Sequence, residues 1–166
     1  MMEAKVEAKV GPKVVHATCV VERSVAKPSG VVFAALSNPD KIRQWMGGGE
    51  HSDLLEFDSE FREGGKQILK YKMRPGTPIA GAVITNEVRF QHIVPGERIV
   101  TASTMRMDDR IFSASQVTFE LVPSEAGTDV IITHQGAFFE GSDGPAMREQ
   151  GWIALADKLA AVVNEQ

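Results

Sequence analysis

The stretch "KPSGVVFAALSNPDKIRQWMGGG", Lys27 to Gly49, holds two short helical signals separated by an Asn-Pro step and closed by three glycines. Pro28 and Ser29 suit a first helical turn, and the "VVFAAL" that follows sets Val32, Phe33 and Leu36 on one face. Asn38 precedes a proline, which pushes it out of helical geometry, so the first helix ends there. Pro39 and Asp40 then open a second helix, "PDKIRQW", which Gly47, Gly48 and Gly49 stop. A helix-turn-helix clasp is therefore predicted, and the rest of the fold follows from what flanks it.

Upstream, "VVHATCVVERS" from Val14 to Ser24 is rich in β-branched residues and reads as a strand. Downstream, "LLEFDSEF", "KQILKYKM", "AGAVITNEVRFQHIV", "RIVTASTMRM", "IFSASQVTFELV" and "DVIITHQG" are strands, divided by short Gly, Pro and Asp turns. Parallel pairing needs a crossover of a dozen or more residues, so these strands are antiparallel neighbours. Val117, Phe119 and Leu121 share one face while Gln116, Thr118 and Glu120 share the other, so one side of the sheet is wet. Ile84, Asn86, Val88, Phe90 and His92 share a parity, as do Val130, Ile132 and His134. The C-terminal segment is a helix to about Asn164, with Ser142 or Asp143 as cap and Pro145 in its first turn. Its apolar stripe is expected through Met147, Gly151, Leu155, Leu159 and Val162, widened by Trp152 and Val163. Arg148, Glu149, Asp157 and Lys158 are expected largely on the other side. Twenty helical residues span roughly 30 Å, enough to lie along the whole sheet.

The predicted class is α+β: a curled antiparallel sheet of about 6–7 strands, a long C-terminal helix, and two short helices between the first two strands. A single helix cannot fill the concave face of such a sheet, which leaves a cavity with the clasp as its lid. Around this space the reading places Phe33, Trp45, Tyr71, Asn86, Val88 and Phe90, together with Phe119, Ile132, His134, Trp152 and Leu155.

The 166 residues suit one domain over 14–166 after a flexible leader at 1–13. A net charge of −4 with no basic face argues against nucleic acid as a partner. Lys66, Lys70, Lys72 and Arg74 recur mostly at a spacing of two, as on the solvent face of a strand. Cys19 is the only cysteine, which excludes an intrachain disulfide and suits a small apolar strand residue. No apolar run approaches the roughly 20 residues of a membrane span, and no secretory signal opens the chain, so a soluble cytoplasmic protein is expected. Ile153 near the polar side of the last helix, and a sheet edge, allow a homodimer.

No nucleophile elbow, phosphate loop or dinucleotide fingerprint is present, because the "GGG" follows a helix rather than a strand. His16, His51, His92 and His134 form no close-spaced pair, so neither a metal nor another cofactor is expected. His134 is either a titratable group facing a ligand or a hydrogen-bonded histidine near a strand end. His92 shares the inward parity but sits near a turn, where structure is its simpler role. Tyr71 either meets a ligand or lies exposed. Glu87 and Arg89 read as a solvent-side pair, and Arg62 as a tie for strand ends.

Several motifs in order resemble one family over about Val14 to Val163. They are Lys27-Pro28 through "VVFAALSNPDKIRQW", "FREGG" at Phe61 to Gly65, "PGERIV" at Pro95 to Val100, "GTDVIITHQGAF", and Gly151-Trp152 followed by Leu155 and Leu159. The sequence is similar to the START-like, birch-pollen-allergen-like (SRPBCC) superfamily, in its branch of homologues of the activator of heat-shock-chaperone ATPase. The resemblance implies a helix-grip fold. Where the family often has Trp-Trp-x-Pro, this chain has Trp45-Met46-Gly47-Gly48, which loosens the cavity mouth. His134 stands where relatives often carry an acid. Three functions are in view: binding of a small hydrophobic or aromatic molecule, chaperone ATPase activation as the resemblance implies, and a cyclase or hydrolase activity using the same cavity.

Overall fold

A computed structural model of the protein describes residues 11–166; the first ten residues of the expected leader lie outside the described residues. Strand β1 (Val15–Val25) is followed by helices α1 (Ser29–Ser37) and α2 (Pro39–Met46). Six strands come next: β2 (Ser52–Ser59), β3 (Lys66–Met73), β4 (Val83–Val94), β5 (Arg98–Met107), β6 (Arg110–Ser124) and β7 (Gly127–Phe138). Helix α3 (Pro145–Asn164) ends the chain. The seven strands form one antiparallel sheet in the order β1-β7-β6-β5-β4-β3-β2, curled but not closed, with β1 and β2 at its edges. This is the helix-grip arrangement expected of the α+β class.

The clasp forms for the local reasons expected, with one further device. Asn38 caps α2 by accepting from the Asp40 amide at 2.9 Å. Pro39 has no N–H to offer the Ala35 carbonyl four residues back, so that buried acceptor would be orphaned. The Trp45 indole Nε1 fills the gap, donating to Ala35 O at 2.8 Å. Gly47 ends α2 because a Cβ there would sit 2.0 Å from the Arg43 carbonyl oxygen.

The core occupies one end of the curl. Val32, Ala35 and Leu36 of α1 and Trp45 of α2 pack with Phe119, Leu121, Val130 and Ile132 of the sheet, and with Ala156, Leu159 and Val163 of α3. The clasp is thus a plug at the closed end; only Met46 and the glycine loop after it reach the open end.

Several expectations need correction. The last helix is capped at Gly144, without a side-chain cap, rather than by Ser142 or Asp143. Its buried residues are Arg148, Ala156, Leu159, Val162 and Val163, whereas Met147 is 66% exposed. The helix is rotated relative to the expected stripe, with Arg148 inside. Ile153 is half-buried against the core, not part of an exposed apolar face. A bulge between Phe90 and His92 inverts the parity of β4 beyond it. Ile93, opposite the buried Ile99, points inward, and His92 faces outward, where Arg98 Nη2 donates to its Nε2 at 3.0 Å. Glu87 pairs with Lys66 at 2.9 Å rather than with Arg89. Lys70 pairs with Glu56 at 3.2 Å and Arg74 with Asp53 at 2.6 Å, so three of the four basic residues lie in ion pairs. Arg62 does tie a strand end, to Glu60 at 3.0 Å.

Replacing Trp45 by Phe leaves the Ala35 carbonyl buried without its donor and removes packing against Phe119, 6.4 Å away in an edge-to-face pair. A loss of about 1–3 kcal/mol in urea unfolding is expected. Unchanged stability would show that the indole bond does not hold the clasp together.

Candidate functional site

Between the N-terminal half of α3 and the β3–β5 part of the sheet lies a cleft of about 380 Å³. It adjoins an inner chamber of about 50 Å³ that reaches Trp45 and Phe90. Ligand pockets commonly measure about 300–1,000 Å³. Four of the seven methionines, Met46, Met73, Met105 and Met147, border the outer cleft. Their flexible thioethers fit irregular shapes.

Tyr71, Asn86, His134, Trp152 and Leu155 border the outer cleft, and Trp45, Asn86, Val88, Phe90, Phe119 and Trp152 border the inner chamber. The fold does not bring Phe33 or Ile132 there. Phe33 stacks edge-to-face on Phe61 at 5.7 Å, and Ile132 packs in the core near α3. Tyr71 is half-buried, and its hydroxyl donates to Met46 O at 2.5 Å, tying the end of the clasp to β3. Burial raises its pKa, so the phenol stays protonated.

The feature absent from the sequence reading is Arg148. The residue is only 8% exposed, and its guanidinium donors are shared among three partners. Nε and Nη2 bond both oxygens of Asp143 at 2.7 and 2.8 Å, and Nη2 also donates to Ser113 Oγ at 2.9 Å. Nη1 lies 3.3 Å from His134 Nε2. Phe138 lies under the guanidinium at 5.1 Å. Arginine has no acceptor, so His134 Nε2 must accept, and the ring carries its proton on Nδ1 and is neutral. Burial, and then the Arg148 charge, lower the His134 pKa to about 4. Gly136 makes room for the ring: a Cβ there would meet His134 Cε1 at 2.7 Å and Phe138 at 2.9 Å. Cys19, paired across the strands with His134, has its thiol pKa raised by burial and then by Glu149, so the thiol form is favoured.

The charges bordering the cleft balance: Glu50 and Asp143 against Arg148 and Lys158. Among the described residues, the inner chamber is bordered by no charged side chain. Its polar members are Gln67, Asn86, Thr101 and Ser103. Gln67 Oε1 accepts from Ser59 at 2.9 Å, and Thr101 Oγ1 donates to Val117 O at 3.4 Å. Asn86 Oδ1, by contrast, is buried with no donor from the described residues. No group of three or more potential metal ligands converges among the described residues. No helix there is long and apolar enough to cross a membrane.

His134 makes the protein sensitive to acid in a predictable direction. Its pKa is depressed on folding, so as pH falls the unfolded chain takes the proton first. Its stabilising contribution is complete above about pH 6.5 and is lost progressively toward about pH 4. At about 1.4 kcal/mol per unit the loss is at most about 3 kcal/mol. Urea unfolding of the His134→Gln variant, which keeps an acceptor for Arg148, should show a shallower loss over this range than the parent. Parallel curves would remove His134 from the explanation.

Comparison with known proteins agrees with this geometry. The family described as Activator of Hsp90 ATPase homolog 1-like protein matches residues 26–164. A solved protein from Rhizobium loti is 35% identical, with a TM-score of 0.79 over 90% of this chain and 98% of that one. An uncharacterised protein from Rhizobium leguminosarum is 29% identical, with a TM-score of 0.83 over 92% and 97%. An activator-like protein from Aeromonas hydrophila, at 19% identity and a TM-score of 0.66 over 90% and 93%, shares the fold. No curated protein gives a significant match. The chain belongs to the Hsp90 ATPase activator homolog 1-like family, within the START-like superfamily.

Proposed function

We propose that the protein binds a small, mostly apolar molecule in the cleft between α3 and the sheet. One observation carries this reading. The face of α3 that borders the cleft runs through Met147, which is exposed, Gly151 and Leu155, of which only Leu155 packs against the core. In its middle stands a helix-interior glycine whose added Cβ would meet nothing within 4 Å. Glycine in a helix interior costs about 1 kcal/mol relative to alanine. Nothing in the protein's own packing requires it, so the space it keeps clear belongs to the cleft. The apolar stripe expected from the sequence at Met147, Gly151 and Leu155 fits this reading as a ligand-facing wall.

The Gly151→Ala variant should melt about 2–4 °C higher than the parent, from better helix propensity with no clash. Gly151→Leu should fold with a comparable melting temperature while its side chain occupies the cleft. Titration with N-phenylnaphthylamine, a neutral apolar fluorophore, should then give saturable emission in the parent and little in Gly151→Leu. No binding in the parent, together with no ligand retained in native mass spectrometry, would overturn the reading.

A further inference from the structure

We infer that the ligand is uncharged and carries a hydroxyl group, which it places against Asn86 at the junction of cleft and inner chamber. The inference rests on the ligand-binding reading above and narrows its chemistry.

Asn86 lies in an apolar row of the sheet, with the polar Gln67 and Ser103 flanking Val88 in the next inward row. Its cross-strand neighbours are Leu69 on β3 and Met105 on β5, and its strand neighbour on the same face is Val88. Its Oδ1 is buried without a donor from the described residues, although buried side-chain acceptors are normally paired. It also borders both spaces, so any molecule that extends from the outer cleft toward Trp45 passes it. A group that satisfies Asn86 must be a donor. A hydroxyl serves in either orientation of the carboxamide, because it donates and accepts.

Charge decides the rest. A carboxylate or ammonium at this depth would be desolvated without a counter-ion, which is strongly unfavourable. Arg148 does not provide one, because Asp143 holds it in two charge-assisted bonds and Ser113 and His134 take further donors. Lys158, the other cation at the cleft, donates to Gly48 O at 3.3 Å at the mouth. The site therefore selects against an ionised head group and for a neutral hydroxyl.

The test uses three probes on one carbon skeleton: naphthol, naphthalene and naphthoate, measured by competition with N-phenylnaphthylamine. Naphthol should bind about tenfold more tightly than naphthalene, and naphthoate weakest. In the Asn86→Leu variant the naphthol advantage should vanish while naphthalene binds at least as well, and the melting temperature should stay equal or rise, since a buried unpaired amide has been removed. A naphthoate preference, an unchanged ranking in the variant (Asn86 bonded to water only), or a marked fall in melting temperature (Asn86 structural) would overturn the inference and leave ligand binding intact. If the parent binds neither the fluorophore nor any of the three probes, both readings fall together.

Discussion

The cleft exists because one buried cation holds a helix away from a sheet. Along its C-terminal half, α3 lies close to β1 and the core through Ala156, Leu159, Val162 and Val163, all short side chains. Along its N-terminal half the inward positions are Arg148 and Trp152, two of the longest side chains available. Arg148 cannot fold away, because its donors are committed to Asp143, Ser113 and His134 and its flat face rests on Phe138. Removing Asp143 would leave a buried charge unpaired, which typically destabilises by several kcal/mol. The same rod thus packs tightly at one end and stands off at the other.

This division explains which parts of the structure were legible in the sequence. Strands, turns, the clasp and the antiparallel topology depend on local periodicity and turn chemistry, and they could be read directly. The facing of α3 could not, because hydropathy assigns an arginine to solvent. Helical spacing does place Arg148 four residues before Trp152, which is followed by Ala156, Leu159 and Val163 on the same side. Its charged partner Asp143 is only five residues away, but Ser113 and His134 come from two distant strands, so no local window contains the full reason for its burial. Strand parity found the inward set Asn86, Val88 and Phe90 but failed for His92, since a bulge shifts the register by one. Parity also says only that a residue faces inward, not where along the curl. Phe33 and Ile132 therefore went to the core end rather than to the cleft.

Two local departures from the most stable choice border the same space. Gly151 interrupts a helix where nothing in the protein would obstruct a side chain. Asn86 buries an unpaired amide oxygen in an apolar row. A sequence that specifies its fold usually satisfies propensity, packing and polar pairing together, and exceptions concentrate where function competes with stability. That both border one cleft is a stronger argument for a ligand than the volume alone.

The two ends also differ in how they can open. At the closed end, entry would require displacing Trp45 and breaking its bond to Ala35, in a core where Val32 and Ala35 are fully buried. At the mouth the boundary is the loop after α2 facing α3, joined by the exposed Lys158 Nζ bond to Gly48 O. A single exposed contact of this kind contributes little to stability. Gly48 holds a left-handed φ of 89°, which favours glycine, and the loop is tied back to β2 by the Gly48–Asp53 bridge and by the Gly49 N–H bond to Ser52 O at 3.2 Å. Tyr71 anchors its first residue, through Met46 O. Any route for a ligand therefore runs between this loop and α3, past Gly151 and toward Asn86.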